Sequence, residues 1–291
     1  MGVAPIVGMA RLWKAPASGR LFLQRTSPAP AASIPSNRCG SGRTGLSVAW
    51  PPGVRRRFLV LSFLKMMSRL KHRYGQLEEP AAQGPFALVM WENACYLLPD
   101  KRRREVFEAL QEQVGMNAAA INRAPDSTLL PLALRGGMRP EVRVFRWREI
   151  ARVTLQRFDG DLSTILERSY AEARKALKQF PDIGDPGAEK ILLFCGMSLG
   201  LPLESNGLRV LVRVGWGRLQ KNYGSMYREV QQNIAPVLPR DTLALQEAFL
   251  LLREHGRVIC KDKFPRCEQC PLANGCDHAG RTAAFLSSSR N

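Results

Sequence analysis

Four cysteines crowd into seventeen residues near the C-terminus, with the spacing C-x6-C-x2-C-x5-C: Cys260, Cys267, Cys270 and Cys276. We expect free thiols here, because no small-residue cleavage site follows the apolar run at 58–67 that could serve as a secretory signal. Four thiolates on one short loop are the ligands of a soft-metal site, either an iron–sulfur cluster or zinc. The unequal flanking gaps favour the cluster, because zinc sites usually combine two short-spaced pairs. A loop held together by a bound metal is therefore the strongest local constraint on the fold.

The positive charge is concentrated at the N-terminus. The chain has 43 Lys and Arg against 25 Asp and Glu, a net charge of +18, which favours a polyanionic partner such as nucleic acid. Residues 1–77 hold 13 of the basic residues and no acidic one, so residues 78–291 carry only +5. This first segment is rich in Pro, Ala, Ser and Gly and shows no sustained period, which predicts a disordered tail over 1–77.

The composition of this tail is typical of an organellar transit peptide and equally of an over-extended reading frame that truly starts at Met66 or Met67. The second interpretation is favoured because no amphipathic helix stands out. No apolar run approaches the roughly 18 to 20 residues that a membrane-spanning helix needs. We therefore expect a soluble, intracellular protein with no membrane partner, in the cytoplasm or nucleoid if bacterial, and organellar targeting by the tail stays open.

From residue 84 onward, apolar residues recur at helical spacing and almost nothing alternates as a strand would, which predicts an all-α fold. Residues 161–180 predict one amphipathic helix capped by Asp161. Residues 241–256 predict another, with Asp241 at its start and Gly256 at its end. The basic run KRRR at 101–104 is interpreted as a solvated helix face.

The segment FPDIGDPGAEK at 180–190 predicts a tight turn followed by a helix. Gly184 and Gly187 permit left-handed or close-approach conformations, so the turn and the helix N-terminus can present several amides to one phosphate oxygen. A plain helix–helix corner is the alternative, because Asp182 and Asp185 would face a phosphate with like charge.

These residues resemble the helix-hairpin-helix DNA glycosylases of the endonuclease III and adenine-glycosylase (MutY) type. CKDKFPRCEQCPLANGC is similar to the iron–sulfur loop of that family, FPDIGDPGAEK to its LPGVG hairpin, and LESNGLRVLVR to the segment that carries its catalytic aspartate. The resemblance covers roughly 180–276 and extends more weakly to about 84 through PFALVMWENACYLL. It implies a two-lobed, all-α fold with a [4Fe-4S] cluster loop.

The resemblance implies the lobe boundaries and the binding residues. Residues 99–199 would form a helical barrel ending in the hairpin, and residues 78–98 plus 200–291 would form the cluster domain. The cluster ligands would be Cys260, Cys267, Cys270 and Cys276, with zinc as the alternative metal. The residues meeting double-stranded DNA would be Ile183, Gly184, Gly187, Lys190, Lys261, Lys263 and Arg266.

The catalytic positions match less closely. Pro186 occupies the position of the lysine that forms a Schiff base in bifunctional members, so lyase chemistry by that route is lost. Glu204 stands at the catalytic aspartate, with a side chain one methylene longer. Glu92, in MWENAC, stands at the glutamate that protonates the departing base in the adenine-specific branch, and burial would keep it protonated. As alternatives, Glu204 would cap the helix after it, and Glu92 would pair with a nearby arginine.

The resemblance therefore implies a monomeric, monofunctional base-excision glycosylase that flips a damaged or mispaired base out of duplex DNA and hydrolyses its glycosidic bond. The alternative is an iron–sulfur protein on the same fold that scans DNA and has lost catalysis. The changes at Asp182, Pro186 and Glu204 favour the alternative, and the carboxylate kept at Glu204 favours the enzyme.

Overall fold

The computed structural model describes residues 61–96 and 98–281, and within these ranges the regular structure is entirely helical. The α-helices, in chain order, are α1 Phe63–Tyr74, α2 Gly84–Glu92, α3 Asp100–Gln113, α4 Ala118–Arg123, α5 Asp126–Arg135, α6 Pro140–Arg157, α7 Tyr170–Leu177, α8 Asp185–Phe194, α9 Ser205–Val214, α10 Tyr223–Ile234 and α11 Thr242–Val258. Short 3-10 helices lie at Leu162–Glu167, Ala235–Val237 and Cys267–Gln269. The all-α prediction is confirmed for the described residues, and none of their helices is both long and apolar enough to cross a membrane.

The buried side chains form two hydrophobic clusters. The first is built from α2 to α8 and includes the fully buried Trp147. The second is built mainly from α1, α9, α10 and α11, includes Trp216, and takes in Leu272 from the cysteine-rich loop. The family resemblance implies that residues 78–98 belong to the C-terminal lobe, whereas the apolar side chains of α2 pack in the first cluster. The physical reason is that α2 is apolar on all sides and is enclosed by α3, α6 and α8.

Helix α1 corrects the prediction of a disordered tail over its last residues. Ser62 caps the helix by accepting a hydrogen bond from the Lys65 amide at 3.4 Å. Phe63, Met66 and Leu70 are buried on one face, which packs against α11. This apolar stripe is short and lies within a basic segment, so the sequence pattern did not indicate a helix. Packing against α11 is what makes its burial favourable. Residues 1–60 of the proposed tail lie outside the described residues.

The single helix predicted over 161–180 is two helices. Asp161 caps the first as expected, accepting from the Ser163 amide at 2.8 Å, but this element is a 3-10 turn that ends at Glu167. Ser169 then starts α7 with a reciprocal capping box, in which its hydroxyl and the carboxylate of Glu172 satisfy each other's backbone amides. A capping box placed inside an apolar period begins a new helix.

Helix α11 begins as predicted and ends later than predicted. Asp241 caps it, accepting from the Ala244 amide at 2.8 Å. Gly256 does not end the helix, which runs to Val258. A Cβ on Gly256 would lie 2.6 Å from the carbonyl oxygen of Asn206. The glycine therefore allows α11 and α9 to approach closely, and α9 is the helix that follows Glu204.

Candidate active site and cysteine loop

The turn between α7 and α8 is a hairpin whose left-handed residue is not a glycine. Asp182 has φ 58°, whereas Gly184 is extended (φ −88°, ψ −173°) and serves as the N-cap of α8. Neither Gly184 nor Gly187 has a positive φ, so the left-handed alternative is wrong and the close-approach alternative stays a prediction. The Ile183 side chain is buried in the first cluster, so this residue can offer only its backbone to a ligand.

Cations neutralise both aspartates of the hairpin. Asp182 pairs with Arg146 at 2.6 Å, and Asp185 pairs with Lys178 at 2.7 Å and with Arg174 at 3.0 Å. Hydrogen bonds from Lys178 and Arg174 lower the pKa of Asp185. These ion pairs weaken the objection that two aspartates would repel a phosphate at this turn. The first-turn amides of α8 have no partner within the helix and are available to bind a phosphate.

Lys190 does not face outward from the hairpin. Its ammonium lies 2.5 Å from Oε2 of Glu92, and Nη1 of Arg103 lies 3.8 Å from Oε1 of the same carboxylate. Burial would raise the pKa of Glu92, but the charges of Lys190 and Arg103 outweigh it and hold the pKa below its ordinary value. The prediction that Glu92 is protonated is therefore corrected, since two cations meet the carboxylate in place of the apolar surroundings that protonation needs.

Glu204 lies at the N-cap position of α9, at the junction of α9 and α11, and its side chain makes no capping hydrogen bond. Instead, Nδ2 of the Asn206 side chain donates to Oε1 at 3.0 Å and Nε of Arg253 donates to Oε2 at 3.2 Å. The carboxylate is therefore fixed by side chains, with 23% of it exposed. The capping alternative does not describe this glutamate.

Arg253 joins Glu204 to a second carboxylate. Its two terminal nitrogens donate to Asp100 at the start of α3. These contacts lower the pKa of Asp100 against the opposing effect of burial, and they raise the pKa of Arg253 although burial alone would lower it. One positive charge is thus shared between two carboxylates, which leaves this group of three side chains with a net charge of −1.

A cavity of about 410 Å³ connects these groups. Its lining includes both Arg253 and the trio of Glu92, Lys190 and Arg103. Three aromatic side chains also line it: Trp91, Phe194 and Phe249. Arg253, which lines the cavity, donates a hydrogen bond to Glu204.

Sequence reasoning missed Arg253, Asp100 and Arg103. Arg253 follows an apolar run in α11, and Arg103 belongs to the basic run that was interpreted as a solvated face. A single charge at an apolar helical position is the one local signal that could have marked Arg253. Nothing local distinguishes Arg103 from its basic neighbours.

The cysteine-rich loop begins directly after α11 and is held by two arginines from α9. Arg209 donates to the carbonyls of Cys260 and Gly256, both at 2.8 Å. Arg213 donates to the carbonyls of Lys261 at 2.5 Å and Asp262 at 2.9 Å. The predicted loop cations are all exposed: Lys261, Lys263 and Arg266.

The four loop cysteines are free and half-buried. Burial raises the pKa of Cys270 to about 11 and raises those of Cys267 and Cys276, and the other loop thiols add to each effect. The thiols are close enough for the charge on one to affect the pKa of the others. Four sulfur ligands have the chemistry and the number that a soft-metal site needs. Among the residues the structure describes, however, no three potential ligands converge closely enough to form a metal-binding group. The four thiols are suitable metal ligands, but the loop would have to bring them closer together to bind a metal.

The chain is similar to known DNA glycosylases. It is 31% identical over 134 residues to a thymine/uracil-DNA glycosylase of Pyrobaculum aerophilum, covering 46% of this chain and 54% of that protein. It is 23% identical over 214 residues to the chloroplastic endonuclease III homolog 1 of Arabidopsis thaliana, covering 72% of this chain and 53% of that relative. The chain thus spans about half the length of the curated relatives it matches, and no family model matches it.

The fold agrees with the sequence similarity. The structure matches that of a trapped covalent endonuclease III–DNA intermediate with a TM-score of 0.60 at 16% identity, over 75% of this chain and 95% of that one. The likeness in fold therefore covers three quarters of this chain. This chain is thus similar in sequence to known DNA glycosylases and has the fold of endonuclease III.

Proposed function

We propose that this protein is a base-excision DNA glycosylase, in which Glu204 acts on the sugar of a nucleotide flipped out of duplex DNA. The observation that carries the proposal is the fixed position of Glu204. Asn206 and Arg253 hold its carboxylate at the junction of α9 and α11. The sequence similarity to a thymine/uracil-DNA glycosylase, the endonuclease III fold and the adjoining cavity support the same function.

The charge around Glu204 suits cleavage of an N-glycosidic bond. The sugar becomes oxocarbenium-like, and therefore positive, as the base leaves. Glu204, Asp100 and Arg253 together carry a net negative charge that is fixed by hydrogen bonds before reaction. Preorganised charge of the opposite sign lowers the barrier more than mobile solvent does.

Pro186, at the position that matches the family's lysine, favours hydrolysis without lyase chemistry. Pro186 lies in the first turn of α8 and has no side-chain nitrogen that could attack the sugar. Water would then take the place of the departed base, and the abasic strand would stay intact.

We propose that the protein engages the DNA backbone at two places. At the hairpin, the first-turn amides around Gly184 and Gly187 would receive a phosphate. On the cysteine loop, Lys261, Lys263 and Arg266 are exposed and suited to phosphate contacts. Lys190 is withdrawn from this set because it faces Glu92. A monomer bound to duplex DNA remains our proposal for the assembly.

The loop cysteines are proposed to hold a [4Fe-4S] cluster, with zinc as the alternative: Cys260, Cys267, Cys270 and Cys276. When bound, the cluster would supply a rigid centre that orders the loop. Arg209 and Arg213 already fix the start of this loop by binding its carbonyls. Metal ligation would draw the four thiols together, since metal binding and folding of a small loop are coupled.

The second candidate is a DNA-scanning protein that has lost catalysis. The observation that favours it is the ion pair of Glu204 with Arg253, which neutralises part of the charge needed at the sugar. Both candidates predict DNA binding, so base release separates them.

The test measures base release under single-turnover conditions from duplexes carrying uracil, oxidised pyrimidines, 8-oxoguanine opposite adenine, and alkylated bases. We expect at least one base to be released, and Glu204→Gln to slow its release by about 100-fold or more while DNA affinity persists. Glu112→Gln, at an exposed glutamate of α3, is the matched control. DNA binding without release from any duplex would support the second candidate instead.

A further inference from the structure

The segment that leads into α10 and the first turns of that helix form an exposed basic surface, which we call the α10 surface: Arg218, Lys221, Tyr223 and Arg228. None of the three cations forms an ion pair with another described residue. From Gly215 to the end of α10 the sequence has one acidic residue, Glu229, and the side chain of Gln220 donates a hydrogen bond to it. The α10 surface therefore carries positive charge that no ion pair among the described residues neutralises.

The guanidinium of Arg228 lies over the first turn of α10. Its Nη2 donates to the hydroxyl of Ser225 at 3.4 Å, and its Nη1 would lie 3.6 Å from a Cβ on Gly224. No acidic residue lies in that turn. The charge of Arg228 is thereby placed at the same end of α10 as Lys221.

Tyr223 places the α10 surface beside Glu204. Its hydroxyl donates to the carbonyl of Leu203, the residue before Glu204, at 3.4 Å. Burial raises the pKa of Tyr223, and the charge of Glu204 raises it further. The ring stacks on that of Tyr227 with the centroids 6.2 Å apart, yet 42% of Tyr223 is exposed. The ring is therefore fixed in position next to Glu204 and still has surface that a ligand can contact.

The α10 surface lies between the two places where we propose that DNA is bound. At one end, a Cβ on Gly215 would lie 2.9 Å from the carboxylate of Asp277, the residue after Cys276. At the other end, the hydroxyl of Tyr227 donates to Glu189 on the hairpin helix α8. A DNA strand that reaches from the hairpin to the cysteine loop would therefore meet this surface.

We propose that the α10 surface binds the DNA strand that carries the flipped nucleotide. Arg218, Lys221 and Arg228 contact its phosphates, and the ring of Tyr223 packs against the deoxyribose next to Glu204. The proposal rests on the proposed function, because the flipped nucleotide at Glu204 determines which strand lies here. Phosphate contacts carry no sequence information, so the surface adds affinity and fixes the register of the strand without selecting a base.

The deciding experiment measures the affinity of the full-length protein for DNA as a function of salt concentration. The probe is a duplex with one tetrahydrofuran residue, an abasic analogue without a glycosidic bond, so that binding is measured apart from catalysis and from the identity of the base. We expect Arg218→Gln and Lys221→Gln each to reduce the slope of log affinity against log salt by about 0.9 and to weaken binding about fivefold at 0.15 M salt. Arg123→Gln, at an exposed arginine of α4, is the matched control and should change neither quantity. Unchanged slopes in both variants would overturn the proposal.

Uncharged methylphosphonate linkages identify the strand. They are placed one at a time on either side of the tetrahydrofuran residue, in its own strand. We expect at least one of them to weaken binding of the original protein about fivefold and that of Lys221→Gln by less than about twofold, because the two changes remove the same contact. The same linkages in the opposite strand should affect both proteins equally. Coupling to Lys221 that is found only in the opposite strand would overturn the assignment.

Tyr223 is tested by a pair of variants on the same abasic duplex. Tyr223→Phe keeps the ring and should bind within about twofold of the original protein, whereas Tyr223→Ala should bind about 3- to 10-fold more weakly. Neither variant should change the salt slope, because no charge is removed. Equal affinity of the two variants would overturn the contact with the sugar. If Tyr223→Ala does not fold, the salt slopes and the methylphosphonate series still decide.

The outcomes separate this inference from the proposed function. Base release by the original protein combined with unchanged salt slopes in both variants would refute the α10 surface and leave the glycosylase standing. Reduced slopes in the variants without base release from any duplex would support the α10 surface as a DNA contact and refute the glycosylase.

Discussion

Nε of Arg253 lies 3.2 Å from Oε2 of Glu204, while the terminal nitrogens of the same guanidinium bind Asp100. The contact joins the starts of α3 and α9 through a side chain of α11. The proposed catalytic carboxylate is thus held by a residue 49 positions away along the chain.

Replacing Arg253 by lysine should impair catalysis more than binding. Lysine keeps the charge but cannot hold two carboxylates with a planar fork. We expect Arg253→Lys to slow base release by about 10- to 100-fold with DNA affinity within about twofold of the original. Single-turnover kinetics and a binding titration measure the two effects. Arg257→Lys, whose arginine pairs with Glu254 on the same helix, is the control, and equal rates for both variants would contradict a positioning role.

The ion pairs of Glu92 predict a pH-dependent stability difference. The carboxylate is 18% exposed and its pKa lies below the ordinary value. Its contribution is therefore complete above the unfolded-state pKa and is lost as the pH falls through the lower folded-state value. Glu92→Gln leaves two cations uncompensated, so we expect the free energy of unfolding to fall by about 3 to 5 kcal/mol at pH 7.

Urea unfolding at pH 7 and near pH 3 measures this difference. The gap between Glu92→Gln and the original protein should shrink in acid, because Glu92 takes up a proton more readily in the unfolded chain than in the folded protein. A gap of the same size at both pH values would show that folding does not shift the pKa of Glu92.

The first described helix should contribute to global stability. Phe63 is 1% exposed, whereas its neighbour Leu64 is 70% exposed. We expect Phe63→Ala to lower the free energy of unfolding by about 3 to 5 kcal/mol and Leu64→Ala by less than about 0.5 kcal/mol. Denaturant unfolding followed by tryptophan fluorescence is suitable, because the Phe63 ring meets the Trp216 ring edge-on at 6.4 Å. Similar values for the two variants would show that α1 does not pack on the second cluster.

Gly256 should tolerate no side chain. A Cβ there would lie 2.6 Å from the backbone oxygen of Asn206 and 2.7 Å from its Cβ. We expect Gly256→Ala to destabilise the protein by about 1 to 3 kcal/mol and to slow base release, because α9 and Glu204 must shift. Gly207→Ala is the control, since its Cβ would meet Leu252 at an ordinary 3.5 Å. Thermal unfolding that ranks Gly207→Ala as the more damaging change would contradict this packing.

The loop cysteines should bind iron and sulfide together. Protein purified without oxygen is expected to contain about four iron and four sulfide per chain. Cys267→Ser should reduce both, whereas Cys195→Ser, outside the loop, should not. Zinc in place of iron, without sulfide, would contradict the cluster and support the alternative metal.

Local sequence signals predicted the all-α class, the start of α11 and the cysteine loop. Asp241 is a cap that can be identified from its neighbours, and it caps α11 as predicted. The spacing of the four cysteines alone predicts their role as metal ligands, independently of the rest of the chain. Glu204 was found because LESNGLRVLVR resembles a known segment.

Tertiary structure decided the groups that give the site its chemistry. Glu92 was located from the sequence, but its protonation state depends on Lys190, from a helix 98 residues away along the chain, and on Arg103, from a basic run. Gly256 was interpreted as a helix end, yet its role is set by the backbone of Asn206. Caps and metal-ligand spacings are determined within a few residues of the chain. The charge state and orientation of a buried side chain depend on whatever the fold packs around it, and only the assembled helices supply those neighbours.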